Sequence, residues 1–162
     1  MNLNKNKIEI INFNDKLKED IKTLNYEWLE KYFCIEKGDI ISLSNPRKEI
    51  IDKGGFIFYA KLDNKIIGTV SLLKKTNNIY ELGKMAVSKN AQGLGVGTIL
   101  LEYCLKVSKQ KKISKLVLYS NTILKSAIHL YRKYGFIESK LEDGLYERAN
   151  IKMEKILTTK YS

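Results

Sequence analysis

Hydrophobic and polar residues alternate along this chain with two different periods, which predict strands in some segments and helices in others. Residues 7–13 predict a first strand. Asn14 or Asp15 can cap a helix that continues to about Tyr32. The apolar positions of this predicted helix recur every three or four residues, and they are Leu17, Ile21, Leu24, Trp28 and Leu29.

The next segments predict a short helix followed by antiparallel strands. Pro46 favours the start of a helix over residues 47–52, and Gly54-Gly55 ends it. Turn residues at Asp63-Asn64 and Asn77-Asn78 then separate three predicted strands, which are Phe56–Leu62, Lys65–Lys74 and Ile79–Val87.

The third of these strands has a break in its alternation. Met85 and Val87 share one face, but the apolar Leu82 is out of step with them. One extra residue around Gly83-Lys84 restores the phase, which is what a β-bulge does. A bulge there would bend the strand away from its next neighbour and open a slot in the sheet.

Helices and strands alternate in the second half of the chain. This order predicts an α+β fold in a single domain, residues 1–162, with a mixed, mostly antiparallel sheet, a splayed bulged strand and helices on both faces. The predicted segments are helix Thr98–Gln110, strand Leu116–Ser120, helix Leu124–Tyr134, strand Phe136–Ser139 and a final strand from Leu145 to about Lys155.

A glycine-rich loop, Gln92-Gly93-Leu94-Gly95-Val96-Gly97, joins the bulged strand to the following helix. Glycines at alternate positions allow positive φ angles, so that backbone N–H groups can point into one concavity at the helix N-terminus. The spacing is neither that of a Walker A loop nor the dinucleotide fingerprint G-x-G-x-x-G. The loop predicts a seat for a pyrophosphate, and a plain strand-to-helix turn is the alternative.

Composition narrows the class of protein. The chain has 162 residues, 44% of them hydrophobic, which is enough for a packed core. No apolar run approaches the ~20 residues of a membrane span, and the first residues lack the apolar region of a signal peptide. Cys34 and Cys104 have no metal-type spacing. We therefore expect a cytoplasmic protein with reduced cysteines, no membrane association and no metal site.

The net charge of +11 comes from lysines spread along the whole chain, since arginine occurs only at positions 47, 132 and 148. Nucleic-acid-binding proteins usually concentrate basic residues and aromatics on one face. A compositional bias towards lysine explains the charge more simply than nucleic-acid binding does. The excess can still steer a polyanionic cofactor to its site, and the sequence leaves homodimer formation open.

Two stretches resemble the signatures of the GCN5-related N-acetyltransferase family. Residues 85–97, from Met85 through the glycine loop, are similar to the family's acetyl-CoA loop. Residues 127–136 are similar to its second signature, Ala-x-x-Leu-Tyr-x-x-x-Gly-Phe. The resemblance covers roughly residues 55–155 well and the first 50 weakly. The chain lacks a proline often found shortly after Val87, and Leu124 stands where many members carry Asn.

The resemblance implies an acetyl-CoA-dependent N-acetyltransferase. Such an enzyme transfers an acetyl group to a primary amine of a small-molecule or peptide acceptor, by direct attack within a ternary complex. A non-catalytic acyl-CoA-binding or sensing module of the same fold is the alternative. The cofactor-binding residues implied are Met85, Ala86, Val87, Gln92, Gly93, Leu94, Gly95, Val96, Gly97, Thr98 and Asn121, where Asn121 either replaces the missing polar group or closes the turn.

Two residues are candidates for catalysis. Tyr131 matches the family's tyrosine and could protonate the coenzyme A thiolate, although helical spacing alone favours a packed aromatic. Glu81, in a mostly apolar run, could take a proton from the acceptor ammonium directly or through water, or could be a solvent-facing strand charge. His129 lies about 200° around the helix from Tyr131 and is expected in solvent.

Most residues expected to form the acceptor pocket lie in the first 50 positions, where the resemblance to the family is weakest. Aromatic side chains at the end of the first helix, followed by Glu36 and Asp39, could form a wall for a cationic amine. Trp28 can equally be a core residue. The expected acceptor-binding residues are Trp28, Tyr32 and Phe33, with Tyr146 on the opposite side.

Overall fold

Seven strands form one sheet in the computed structural model, which describes residues 7–142 and 146–157. The strands are β1 (Glu9–Asn12), β2 (Phe56–Leu62), β3 (Lys65–Lys74), β4 (Ile79–Val87), β5 (Lys115–Ser120), β6 (Ile137–Ser139) and β7 (Ile151–Ile156). Their order is β1-β2-β3-β4-β5-β7-β6, and neighbours are antiparallel except for β4 and β5. The predicted α+β fold is confirmed.

Helices cover both faces of the sheet. They are α1 (Lys18–Tyr32), α2 (Lys37–Ser44), α3 (Val96–Gln110) and α4 (Lys125–Lys133), with helical turns at Asp15–Leu17, Arg47–Ile51 and Lys89–Ala91. On one face α3 packs Leu100 and Cys104 against β3, and on the other Ile21 and Leu29 of α1 share a core with Ile57 and Tyr59 of β2. Neighbouring residues of β2 belong to opposite cores, as the period of a strand requires.

The segment between α1 and β2 differs from the sequence prediction. The predicted helix over 47–52 is a π-helical turn, Arg47–Ile51, and the helix α2 that precedes it was not predicted. Its sequence contains Gly38 and two serines, which are weak helix formers. The helix instead depends on burial of Leu43 and on Asp39, whose Oδ2 accepts a hydrogen bond from the Glu36 N–H at 2.9 Å.

Some predicted boundaries shift. Helix α3 begins at Val96, two residues earlier than predicted, because the last glycine of the loop is already helical. The final strand begins only at Ile151, since the described residues 146–150 form a turn; Leu145, its predicted start, lies outside the described residues. No helix in the described ranges combines the length and apolar character needed to cross a bilayer.

The predicted bulge and slot are both present in β4. Thr69 of β3 faces Ala86, but Ser71 faces Gly83, so β4 holds one extra residue there, and Lys84 has a φ of 53°. Strand β4 pairs with β5 only along Ile79–Glu81. Beyond that point β5 pairs with β7 alone, and the sheet opens between β4 and β5.

Candidate active site

The slot between β4 and β5 widens into a cavity of about 350 Å³. Its walls are the second half of α1, residues 81–87 of β4, the end of β5, the first turns of α4 and the turn before β7. Two parallel strands that separate, as β4 and β5 do, leave backbone groups unpaired at that point, so this cavity is where a ligand can complete the sheet.

Most of the residues selected from the sequence line this cavity. Both catalytic candidates and all four acceptor-side candidates do so, and so do five of the cofactor-side candidates. These lining residues are Tyr131, Glu81, Trp28, Tyr32, Phe33, Tyr146, Met85, Ala86, Val87, Gln92 and Asn121. The remaining cofactor-side candidates, Gly93, Leu94, Gly95, Val96, Gly97 and Thr98, form the adjoining loop and the start of α3.

The glycine loop leaves the N-terminus of α3 without a cap. Gly93 and Gly95 have φ angles of 87° and 78°, the left-handed region that favours glycine. The first bond of the helix runs from the Ile99 N–H to the Gly95 carbonyl, and no side chain caps this end. The preceding N–H groups therefore have no intrahelical acceptor, which suits a bound phosphate.

The side chain of Val96 points into the protein, not into the loop. It is buried, and a Cβ on Gly68 of β3 would lie 2.8 Å from its Cγ1. Val96 can therefore offer a ligand only its backbone. The uncapped N–H groups and the open edge of β4 fit the two polar parts of coenzyme A that the sequence resemblance implied, a pyrophosphate and a chain of amides.

Asn25 anchors the bulge to α1, and sequence reasoning missed it. Its side chain is 1% exposed, and Nδ2 donates to the Lys84 carbonyl at 3.1 Å and to the Ile21 carbonyl at 2.8 Å. The Trp28 indole N–H reaches its Oδ1 at 3.4 Å. A polar residue between Ile21 and Leu29 on the apolar face of α1 was the signal that could have identified it.

Tyr131 lies on α4 with its ring edge-on to Phe136, at 5.9 Å between centroids. Burial, with a smaller effect of the nearby Cys104, raises the pKa of Tyr131 to about 12. The phenol is therefore protonated throughout the physiological range and can give a proton to a developing anion in the cavity. His129 is exposed on the same helix, as its spacing predicted.

Glu81 is buried in the centre of the sheet, with 3% of its surface exposed, which excludes the solvent-facing alternative. Its Oε2 accepts a hydrogen bond from the Tyr146 hydroxyl at 2.9 Å. The Lys75 Nζ lies 3.0 Å from Oε1 and forms an ion pair, outside the angles of a hydrogen bond. Two groups from different elements thus hold the carboxylate in place.

A network of ion pairs fixes the turn before β7 against α2. The Arg148 guanidinium donates to Glu36 Oε2 at 2.7 Å and to both oxygens of Asp39 at 2.6 and 2.9 Å. Lys84 Nζ lies 3.2 Å from Asp39 Oδ1. Burial acts to raise the pKa of Asp39, but the bonds from Arg148 and from the α2 backbone bring that pKa below its usual range. The acidic wall expected for a cationic amine is therefore occupied by protein cations.

Asn121 closes the end of β5. Its Oδ1 accepts a bond from the Ile123 N–H at 3.0 Å, and its Nδ2 donates to the Arg148 carbonyl at 2.8 Å. These bonds engage both the oxygen and the nitrogen of the amide, and the residue also lines the cavity. No cluster of three His, Cys, Asp or Glu side chains suited to a metal ion occurs within residues 7–142 and 146–157.

Solved structures share this fold over nearly their whole length. An acetyltransferase of the GNAT family from Staphylococcus aureus Mu50 superposes with a TM-score of 0.84 and 26% identity, over 93% of this chain and 99% of that one. The PaiA N-acetyltransferase of Thermoplasma acidophilum, solved in complex with coenzyme A, superposes with a TM-score of 0.75 and 22% identity, over 92% of this chain and 98% of that one.

Sequence comparisons agree with the fold. Streptothricin acetyltransferase A of Bacillus subtilis (strain 168) is 30% identical over 115 residues, which are 71% of this chain and 64% of that protein. A Xenopus tropicalis protein named probable N-acetyltransferase camello is 26% identical over 102 residues, 62% of this chain and 47% of that protein. The chain thus matches less than two thirds of the length of these curated relatives.

A sequence model of the acetyltransferase (GNAT) family matches residues 20–136. The chain therefore belongs to this family, a class of N-acetyltransferases whose cosubstrate is acetyl-CoA. The family predicted from the two sequence signatures is confirmed.

Proposed function

We propose that this protein transfers the acetyl group of acetyl-CoA to a primary amine by direct attack within a ternary complex. The observation that carries the proposal is the meeting of Tyr131 on α4 and Glu81 on β4 in one cavity, beside the open edge of β4. One group can supply a proton and the other can take one, and these are the two proton transfers that amide formation from an ammonium and a thioester requires.

The cofactor side of the site would consist of backbone groups. The uncapped N–H groups of the glycine loop and of α3 would hold the pyrophosphate, with the helix dipole favouring its charge. The edge of β4 at Met85–Val87 would pair with the amides of the pantetheine arm. Acetyl-CoA supplies an acetyl group activated as a thioester.

Tyr131 would act as the general acid. Its hydroxyl carries a proton at every physiological pH, since an ordinary tyrosine has a pKa of about 10 and burial raises the pKa of Tyr131 further, to about 12. A neutral phenol in an apolar wall can hold its proton near the sulfur until charge develops there. The packing of its ring against Phe136 fixes the direction of the hydroxyl.

Glu81 would act as the base for the acceptor ammonium. It is an acid side chain with almost no exposure, next to aromatic walls that favour a cation. The aromatic side of the cavity, formed by Trp28, Phe33 and Tyr146, would hold the acceptor.

The test is steady-state coenzyme A release from acetyl-CoA with a panel of primary amines. The panel includes polyamines, amino-terminal peptides and streptothricin, the last because of the relative that carries its name. Transfer through a ternary complex predicts intersecting initial-rate lines and no acetylated enzyme by mass spectrometry. Tight acetyl-CoA binding without turnover for any amine would favour the non-catalytic acyl-CoA-binding module instead.

A further inference from the structure

Glu81 lines the cavity, but each oxygen of its carboxylate already contacts another side chain. Its Oε1 lies against Lys75 Nζ and its Oε2 accepts the Tyr146 hydroxyl. A Cβ at Gly83 would lie 3.1 Å from Oε2, so that glycine leaves the space in which this oxygen lies. With 3% of its surface exposed, Glu81 meets an incoming group mainly through the partners of its two oxygens.

These two partners differ in what they can do with a proton. Lys75 carries an ammonium group, which has donors but no acceptor, so it cannot take a proton from another ammonium. The phenol of Tyr146 donates its one hydrogen to Glu81 and keeps lone pairs that can accept a second hydrogen bond. Of the two, Tyr146 lines the cavity and Lys75 does not.

We propose that Tyr146 relays the acceptor's proton to Glu81, an inference that rests on the proposed function. In the relay an N–H bond of the acceptor ammonium breaks while an O–H bond forms on the Tyr146 oxygen. The original O–H bond of Tyr146 breaks at the same time, and a new O–H bond forms on Glu81 Oε2. The products are a neutral amine, a neutral carboxylic acid and an unchanged phenol, so charge and protons balance.

The surroundings of Tyr146 favour a neutral phenol before and after the relay. Burial first, and then the charge of Glu81, raise the pKa of this hydroxyl well above its usual range. The ring contacts Tyr119, at 5.6 Å between centroids. The other charged groups nearby all form ion pairs. Lys75 pairs with Glu81, and Lys84 pairs with Asp39. Arg148 pairs with both Asp39 and Glu36.

The position of the relay is set by the residues that follow it. The Glu147 N–H donates to Glu36 Oε1 at 3.0 Å, and Arg148 binds Glu36 and Asp39. These contacts fix the backbone on one side of Tyr146 to the start of α2. The hydroxyl is thereby held at hydrogen-bond distance from Glu81 without help from a ligand.

The test compares pH profiles of kcat/KM for the acceptor amine in the wild type, Tyr146→Phe and Tyr119→Phe. Tyr119 is the control, since its ring lines the same cavity but its hydroxyl donates to Glu142, at 3.5 Å, and forms no hydrogen bond with Glu81. At neutral pH we expect Tyr146→Phe to lose about 10²-fold or more. The loss should shrink by about tenfold per pH unit up to the pKa of the acceptor amine, because only free amine then reacts.

Glu81→Gln should reproduce this profile, and the double variant should lose no more than either single one, because both side chains serve one proton path. If Tyr146→Phe does not fold, Tyr146→Met, which fills the space without a hydroxyl, takes its place with the same expected profile. A uniform, pH-independent loss in Tyr146→Phe, or losses that multiply in the double variant, would overturn the relay alone. A wild type that turns over no amine would overturn the proposed function and the relay with it.

Discussion

The Tyr146 hydroxyl donates a 2.9 Å hydrogen bond to Glu81 Oε2, joining the turn before β7 to the centre of the sheet. The two residues are 65 positions apart in the chain and meet because β4 leaves β5 after residue 81. This splay serves both sides of the proposed reaction, since it frees the edge of β4 for the cofactor and makes room for the acceptor.

The glycine loop predicts a charge effect on acetyl-CoA binding. Gly95→Asp should weaken binding at least about tenfold relative to Gly95→Asn, which corresponds to about 1.4 kcal/mol. Both side chains tolerate the left-handed backbone at this position, where φ is 78°, and only aspartate adds a negative charge where the pyrophosphate is expected. Isothermal calorimetry on the two folded variants measures the difference. Equal affinities of the two variants for acetyl-CoA would show that the loop does not bind the pyrophosphate.

Asn25 should be important for stability although it lies on an ordinary helix. Asn25→Ala removes the donor to the Lys84 carbonyl, and we expect a loss of about 1–3 kcal/mol in the free energy of unfolding. Thr23→Ala, on the exposed side of α1, is the control and should change it by less than about 0.5 kcal/mol. Urea denaturation checks both. If both substitutions changed the free energy of unfolding by a similarly small amount, the bond from Asn25 to the bulge would not contribute to stability.

Asp39 should make stability depend on acid pH. Because its pKa is lowered in the folded state, its contribution is complete above the unfolded value of about 3.9 and is lost as the pH falls through the folded pKa. Asp39→Asn should therefore cost about 3–5 kcal/mol at pH 7, by removing the buried carboxylate that pairs with both Arg148 and Lys84, and the difference from wild type should narrow below about pH 4.

The control for this prediction is Asp15→Asn, which breaks the exposed pair with Arg47 and should cost less than about 1 kcal/mol. Urea denaturation of the wild type and both variants between pH 7 and pH 3 makes the comparison. A cost for Asp39→Asn that does not change with pH would contradict the ionic role of Asp39.

Local patterns were enough to predict the part of the molecule around the cofactor. The broken alternation at Gly83-Lys84 predicted the bulge, and the alternate glycines predicted a helix N-terminus with free N–H groups. Both features are determined by residues close together in the sequence. The acceptor side of the site was harder to predict from the sequence. The network around Arg148 joins residues more than 100 positions apart, such as Glu36, and no local period indicates it, while helix α2 contains weak helix formers.

The same distinction explains the individual residues. Glu81 was found because a charge interrupts an apolar strand, but its partner Tyr146 was expected in a strand and lies in a turn. Asn25 was not among the site residues predicted from the sequence. Its contact with the Lys84 carbonyl, 59 positions away, exists only in the folded chain.

The most direct test of the account is the single-turnover rate of acetyl transfer in Tyr131→Phe, with Tyr134→Phe as the control. Tyr134 follows the same helix, but its hydroxyl donates to Glu102 on the surface, at 2.6 Å. Removing the Tyr131 hydroxyl should slow transfer by about 10²–10⁴-fold, with acetyl-CoA affinity and thermal stability nearly unchanged, while Tyr134→Phe transfers at the wild-type rate. A Tyr131→Phe rate within about threefold of wild type would contradict the proposed mechanism.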